Sequence, residues 1–190
     1  MTGRHVMLDL ETFGTKPGSV LRSIGAVVFG LRSGLGDEFY RNIEKQSQLD
    51  AGLTVDPATE RWWSQQSAEV QQHLLDNPAP LATVAVLFHA WFARTGAEFV
   101  WSQGANFDVV LWEAACARIG VAVPWRYFNA RDTRTVYDIC GFDARALPRH
   151  GTFHNALDDA KHQARCIQAA LSGAAARSVQ IADKIAESTA

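Results

Sequence analysis

Cysteine is scarce in this chain, and nothing in its spacing pairs it. Cys116, Cys140 and Cys166 are odd in number and far apart, with no C-x-x-C couple. That excludes a disulfide framework and leaves three ordinary thiols of a reducing compartment. Long apolar runs are missing too. No stretch reaches the roughly 20 residues of a membrane span, and Asp9 interrupts the only apolar segment near the N-terminus. Neither a membrane helix nor a secretory signal is expected, so the default is a soluble, cytoplasmic protein. No block of one charge sign occurs either, and the net charge is −2. This excludes a protein that grips nucleic acid by bulk positive charge. It does not exclude one that holds a strand end locally, through metal ions and a few arginines.

What is present suits one domain. Of 190 residues, 47% are hydrophobic, enough for a sizeable core, and 20% are charged, too mixed in sign for wholesale disorder. The expected division is a folded unit over 1–172 and an alanine-rich tail over 173–190 with helical character. Val6 to Gly14 reads as an apolar strand carrying two carboxylates and closing in a small turn. Ser19 to Phe29 is a β-branched-rich second strand, Ser33-Gly34 the next turn, and Glu38 to Ile43 a third strand. Asp56-Pro57 looks like a helix start, with Asp as N-cap and Pro at the first helical position. This helix carries Trp62 and Trp63. Ser67 or Glu69 opens a helix through Leu75, and Leu81, Val84, Ala85, Phe88, Trp91 and Phe92 recur at helical spacing. Glu98 to Trp101 is a short strand, and Val110, Leu111, Ala114 and Arg118 mark a helix that continues to Gly120. The 121–130 region is ambiguous, Arg131 to Ile139 is helical, Leu147 to Phe153 is a loop, and Leu157 to Leu171 forms the last firm helix. A β meander followed by helices and further strand is an α/β layout with a mixed central sheet.

Asp9 and Glu11, two apart on a strand, project from one face. Side by side at the end of a buried strand they repel each other and lose solvation unless a cation lies between them. Taken alone, D-x-E is better explained as an edge strand facing water. Asp108, at the start of a helix, is equally well explained by the macrodipole, and His154 by an ordinary loop. Together with Asp158 and Asp159, which stand where a Gly-containing loop enters the last helix, these groups make the separate explanations less economical.

Asp9-Leu10-Glu11-Thr12, Asn106-Phe107-Asp108 and His154-Asn155-Ala156-Leu157-Asp158-Asp159-Ala160 resemble, in order and spacing, the three motifs of the DEDD exonucleases of the ribonuclease H-like superfamily. The H-x4-D spacing is similar to the histidine-bearing DEDDh, DnaQ-like branch. Trp62-Trp63 and Trp125-Arg126-Tyr127-Phe128-Asn129 with Arg131-Asp132 resemble the phage-type DexA exonucleases in particular. The resemblance spans roughly residues 5–171. It implies a ribonuclease H-like fold and a 3′–5′ exonuclease releasing nucleoside 5′-monophosphates. The implied partner is a single-stranded DNA or RNA 3′ end, with DNA favoured; no membrane is involved, and a homodimer is admitted. It also implies Asp9, Glu11, Asp108 and Asp159 as ligands of two Mg²⁺ or Mn²⁺ ions, and His154 as general base. Leu10, Thr12 and Gly14 would lie against the terminal sugar and phosphate. Asn106 and Phe107 border the same groove, and Phe13 joins Trp62 and Trp63 as a candidate for base stacking. Phe13 departs from the Thr common in DnaQ-type sequences, which leaves its role open.

The chemistry is coherent on its own terms. Carboxylates alone would repel an anionic phosphodiester. Two divalent ions about 3.5–4 Å apart reverse that field, activate water and stabilise the leaving oxygen. Oxygen ligands suit Mg²⁺ or Mn²⁺, and a neutral imidazole takes the water's proton. If Asn155 caps the last helix, Asp159 shares a face with Ala156 and Gln163. Asp158 then points aside, where its loss costs at most about 1 kcal/mol. One rival is a zinc site on a continuous helix through His150, His154, Asp158 and His162, which Pro148 and Gly151 argue against. A second is a nucleic-acid-binding domain without turnover, against which the full set of five groups stands.

Overall fold

In a computed structural model, the structure describes residues 4–73, 75–104 and 106–188. The last two residues of the expected tail lie outside these, as do the first three of the expected domain. The meander is formed by β1 (Arg4–Thr12), β2 (Leu21–Gly30) and β3 (Ser33–Asn42). The β2–β3 turn falls at Leu31-Arg32, and Ser33 already pairs with Gly30. The expected turn at Ser33-Gly34 is thus the start of a longer third strand. A short helix α1 (Lys45–Asp50), α2 (Pro57–Ser64), α3 (Ala68–His73) and α4 (Leu81–Thr95) follow. Then come β4 (Ala97–Ser102), α5 (Asp108–Arg118), β5 (Ala130–Asp132), α6 (Thr133–Cys140) and α7 (Ala156–Ser188). The end expected for α3, near Leu75, falls just beyond its last residue.

The five strands are ordered β3-β2-β1-β4-β5. β1 is antiparallel to β2 and parallel to β4, and β4 is parallel to β5. Because side chains alternate along a strand, β1 feeds two cores. Val6, Leu8 and Leu10 join Phe88, Trp91 and Trp112 of α4 and α5 on one side. Met7 joins Tyr137, Ala160, Ala164 and Ile167 of α6 and α7 on the other. Phe88 anchors the first core, with the rings of Phe39, Trp91 and Trp112 at 5.3–5.7 Å. Burying one such ring contributes about 1.5–3 kcal/mol.

Alternation continues past Met7, so Asp9 and Glu11 face the α7 side. There α7 presents the small residues Ala156, Ala160 and Ala164, all fully buried. Gly25, the β2 partner of Asp9, completes the fit. A Cβ on it would lie 2.1 Å from the Ala156 carbonyl carbon and the Leu157 nitrogen. The start of α7 therefore rests directly on sheet backbone, beside the acidic end of β1.

The ambiguous 121–130 stretch resolves into a 3-10 turn over Tyr127–Asn129 leading into β5. The helix expected from Arg131 begins at Thr133. Asp132 is its N-cap, accepting from the Arg134 and Thr135 amides at 3.2 Å. The expected boundary at 172/173 lies inside α7, whose backbone continues to Ser188. No helix among the described residues is long and apolar enough to cross a membrane.

Candidate active site

Asp9 and Glu11 reach the site from the C-terminal end of β1, next to the C-terminal end of parallel β4. Ligand sites in α/β sheets favour this position. Gly104, at φ +103, turns the chain out of β4. The turn is held by the Gly104 amide donating to Asp132 Oδ1 at 3.0 Å and the Phe107 amide donating to the Gly104 carbonyl at 2.8 Å. Asp132 is partly buried, which by itself raises its pKa, yet bonds from Thr135, Arg134 and Gly104 hold it below the usual range. One helical step on, Asp108 opens α5 and turns back to β1, where its Oδ1 accepts from the Leu10 amide at 3.2 Å.

The third side is the start of α7. Asn155 Oδ1 accepts from the Leu157 and Asp158 amides at 3.0 and 3.1 Å, so the helix begins at Ala156 with Asn155 as its cap. His154 lies just outside it at φ +60, a left-handed conformation that non-glycine residues seldom adopt and that concentrates at functional sites. This breaks the four-residue register of the zinc rival. His150 is exposed, and Asp158 turns the other way, its Oδ2 accepting from the Thr152 amide at 2.9 Å. Asp158 also fills the space where a Gly151 Cβ would stand. Asp158 thus points aside from the cavity, and in that position it ties down the loop that carries His154.

Asp9, Glu11, Asp108, His154 and Asp159 line one cavity of about 580 Å³. Glu11, His154 and Asp159 bring ligand atoms within 4.8 Å of one another. Of the expected substrate contacts, Leu10 and Phe107 line the same cavity, whereas Thr12, Phe13, Gly14 and Asn106 lie outside its lining. Thr12 is committed elsewhere: its hydroxyl donates to the Gly14 carbonyl at 2.7 Å, and its own carbonyl accepts from Trp63 Nε1 at 2.8 Å. Phe13 is covered by cations, with Arg22 and Lys45 each 4.7 Å from its ring. Trp63 is buried, while Trp62 is 41% exposed. The Trp62 and His154 rings stand perpendicular with their centres 5.0 Å apart, so α2 braces the imidazole from outside.

The electrostatics are those of a buried acid cluster whose neighbouring arginines offset it only in part. Burial first, then Asp108 and Glu11, pushes Asp9 well up. Burial and Asp108 push Glu11 up to about 8. Burial pushes Asp108 up to about 7, against the opposing Leu10 bond. His154 is lowered by burial and by Arg149, which keeps it neutral near pH 7. Oxygen donors with raised pKa values suit a hard divalent cation, which favours the ionised form. Gln163, one turn after Asp159, adds to the fit. Its Nε2 donates to Asp9 Oδ1 at 2.7 Å, and its buried Oε1 finds no hydrogen-bond partner among the described residues.

Two participants carry no functional mark in the sequence. Gln163 shares the Asp159 face by spacing, which is a readable signal, but its bond to Asp9 joins residues far apart in sequence. Arg149 lies in the cavity wall and pairs with Asp159. Nothing in its local sequence singles it out.

Residues 4–171 match the family model of the 3′–5′ exoribonuclease Rv2179c-like domain. No curated protein matches the chain. Among solved structures, the chain is similar to the nuclease domain of 3′hExo, a DEDDh family member bound to rAMP. Identity there is 12%, the match covers 90% of this chain and 92% of that one, and the TM-score is 0.61. It is also similar to E. coli exonuclease I in a zinc-bound complex with single-stranded DNA, at 14% identity and a TM-score of 0.65. That match covers 88% of this chain and 40% of the other, so the chain spans less than half of exonuclease I. At such identities the likeness is one of fold, and the fold is ribonuclease H-like.

Proposed function

The chain belongs to the Rv2179c-like 3′–5′ exoribonuclease domain family, and from that premise we propose that it removes nucleoside 5′-monophosphates from the 3′ end of a single strand at the cavity between β1, α5 and α7. The observation that carries this reading is the convergence of Asp9, Glu11, Asp108, His154 and Asp159 on one cavity from three separate stretches of chain. Asp9, Glu11, Asp108 and Asp159 would hold two Mg²⁺ or Mn²⁺ ions. When bound, these supply Lewis-acid stabilisation of the phosphoryl charge and a more acidic water.

His154 Nδ1 or Nε2 takes the proton of the attacking water. Its lowered pKa keeps a lone pair available, and the perpendicular Trp62 ring limits how far the imidazole can turn. Gln163 orients Asp9, and the Leu10 amide orients Asp108. Phe107, in the cavity wall, presents apolar surface to the terminal nucleotide, and Leu10, whose side chain is turned into the core, offers its backbone. The nearer kinship to phage-type DexA exonucleases belongs to the same reading and is supported by Trp62-Trp63 and the Trp125–Asn129 stretch.

RNA is the substrate we propose first. The support is the family's description and the rAMP bound to the 3′hExo nuclease domain. The DNA preference drawn from sequence resemblance has as its support the single-stranded DNA held by exonuclease I. The test presents 5′-labelled RNA and DNA strands of one sequence in parallel, each with a free or a blocked 3′ end. Shortening of free-ended RNA alone, or faster than DNA, is expected, with blocked strands untouched. Digestion of 3′-blocked strands contradicts the polarity, and faster digestion of DNA contradicts the substrate.

A further inference from the structure

Arg149 stands within the acid cluster. It comes from the loop between α6 and α7, which contains Pro148 and Gly151, and its guanidinium pairs with Asp159. Its outer end is 4.3 Å from the centre of the Phe153 ring. From there its charge also bears on Asp9, Glu11 and His154. Two neighbouring arginines are placed differently. Arg22 is stacked over Phe13 and Trp63 at 4.7 and 4.1 Å and acts on Glu11 from the side of β2. Arg134 acts on Asp108 from α6.

Asp159 is one of the three residues whose ligand atoms cluster within 4.8 Å. The guanidinium therefore engages a carboxylate that a divalent ion would need. A planar +1 group and a +2 ion repel at contact distance, and each is attracted by the same buried acids. The Arg149 Nε has no hydrogen-bond partner among the described residues. What holds the group in place is thus the charge of the cluster, with Phe153 as a backing surface.

We propose that Arg149 is an internal counter-cation of the acid cluster, which divalent ions must displace, so that it sets the metal concentration at which the site loads. The proposal rests on reading the cavity as a divalent-metal site. Before loading, the guanidinium offsets acids that would otherwise repel one another. On loading, it must leave Asp159.

The test compares the full chain with Arg149→Met and Arg149→Lys, all stripped of metal with a chelator and dialysed. Melting temperatures are recorded without metal, and Mn²⁺ is then titrated by calorimetry. Methionine keeps an apolar stem on Phe153 but removes the charge, and lysine keeps the charge. The metal-free Arg149→Met protein is expected to melt several degrees below the parent. It should nevertheless bind Mn²⁺ about tenfold more tightly, within the usual range for coupling between competing ligands. The Arg149→Lys protein should stay near the parent in both measurements. Equal Mn²⁺ affinity in parent and Arg149→Met overturns the proposal. Weaker binding in Arg149→Met also overturns it, because Arg149 would then support the ligands rather than compete with the ion. If no protein binds Mn²⁺, the metal reading itself fails and takes the proposal with it.

Discussion

His154 combines three features that suit it to proton transfer, namely a left-handed backbone, a depressed pKa and a perpendicular indole ring centred 5.0 Å away. Replacing it with alanine should cut the single-turnover rate by roughly 10²–10⁴, the scale of a lost general base, while Mn²⁺ binding persists. Parental rates in His154→Ala would make it a structural loop residue. Asp158 and Asp159 should separate by kind of defect. Asp159→Asn should stop turnover. Asp158→Ala removes a charged acceptor from the Thr152 amide and should cost about 1.5–3 kcal/mol of stability, measured by denaturant titration, with a smaller loss of rate through a loosened His154. The five acidic and imidazole residues of the cavity are readable in the sequence because they stand in three short motifs. The bond between Gln163 and Asp9 and the pairing of Arg149 with Asp159 are not, because each depends on where the fold brings distant elements together.

At the level of elements, the site depends on how closely α7 approaches the sheet, and Gly25 sets that approach. A methyl group there would press on the backbone of Ala156 and Leu157 at 2.1 Å, where no flexible side chain can yield. Gly25→Ala should therefore destabilise the protein by about 1–3 kcal/mol and reduce activity, since Asn155, His154 and Asp159 move with the helix. Denaturant unfolding and initial rates check both; an unchanged melt with full activity would show that α7 can shift freely. Periodic elements such as α4, α7 as far as Leu171, and the first two meander strands are evident from pattern alone. α1 escapes the pattern because Lys45–Asp50 is short and polar and has no side-chain cap. The boundary between β5 and α6 is misplaced by pattern because Arg131 fits a helical spacing, whereas Asp132, bonded to Gly104, Arg134 and Thr135, ends one element and starts the next.

For the whole molecule, the acid cluster costs stability whenever its members ionise without a divalent ion. A carboxyl with a folded pKa above its unfolded one holds its proton more tightly when folded. Its contribution is present at low pH and is lost as pH rises through the folded value. For Asp108 and Glu11 the upper ends of that range are about 7 and about 8. His5, His154 and His162 are depressed and act in the opposite direction, but above pH 7 they are neutral in both states. Between pH 7 and 9 the metal-free protein should therefore lose about 1 kcal/mol or more. Added Mg²⁺ should flatten the decline, and Asp9→Ala should lessen it in the metal-free protein. Thermal melts across that range check the sign, and a metal-free protein that gains stability over it would contradict the reading of these acids as mutually repelling.

The most direct measurement of metal-dependent 3′–5′ cleavage at this cluster uses one 5′-labelled single strand and protein stripped of metal. The product ladder is followed before and after addition of Mg²⁺ or Mn²⁺, with Asp9→Ala alongside. No shortening is expected without metal, stepwise shortening from the 3′ end once either ion is added, and none with Asp9→Ala under any condition. Full digestion by the stringently demetallated protein, or by Asp9→Ala, would contradict the two-metal assignment.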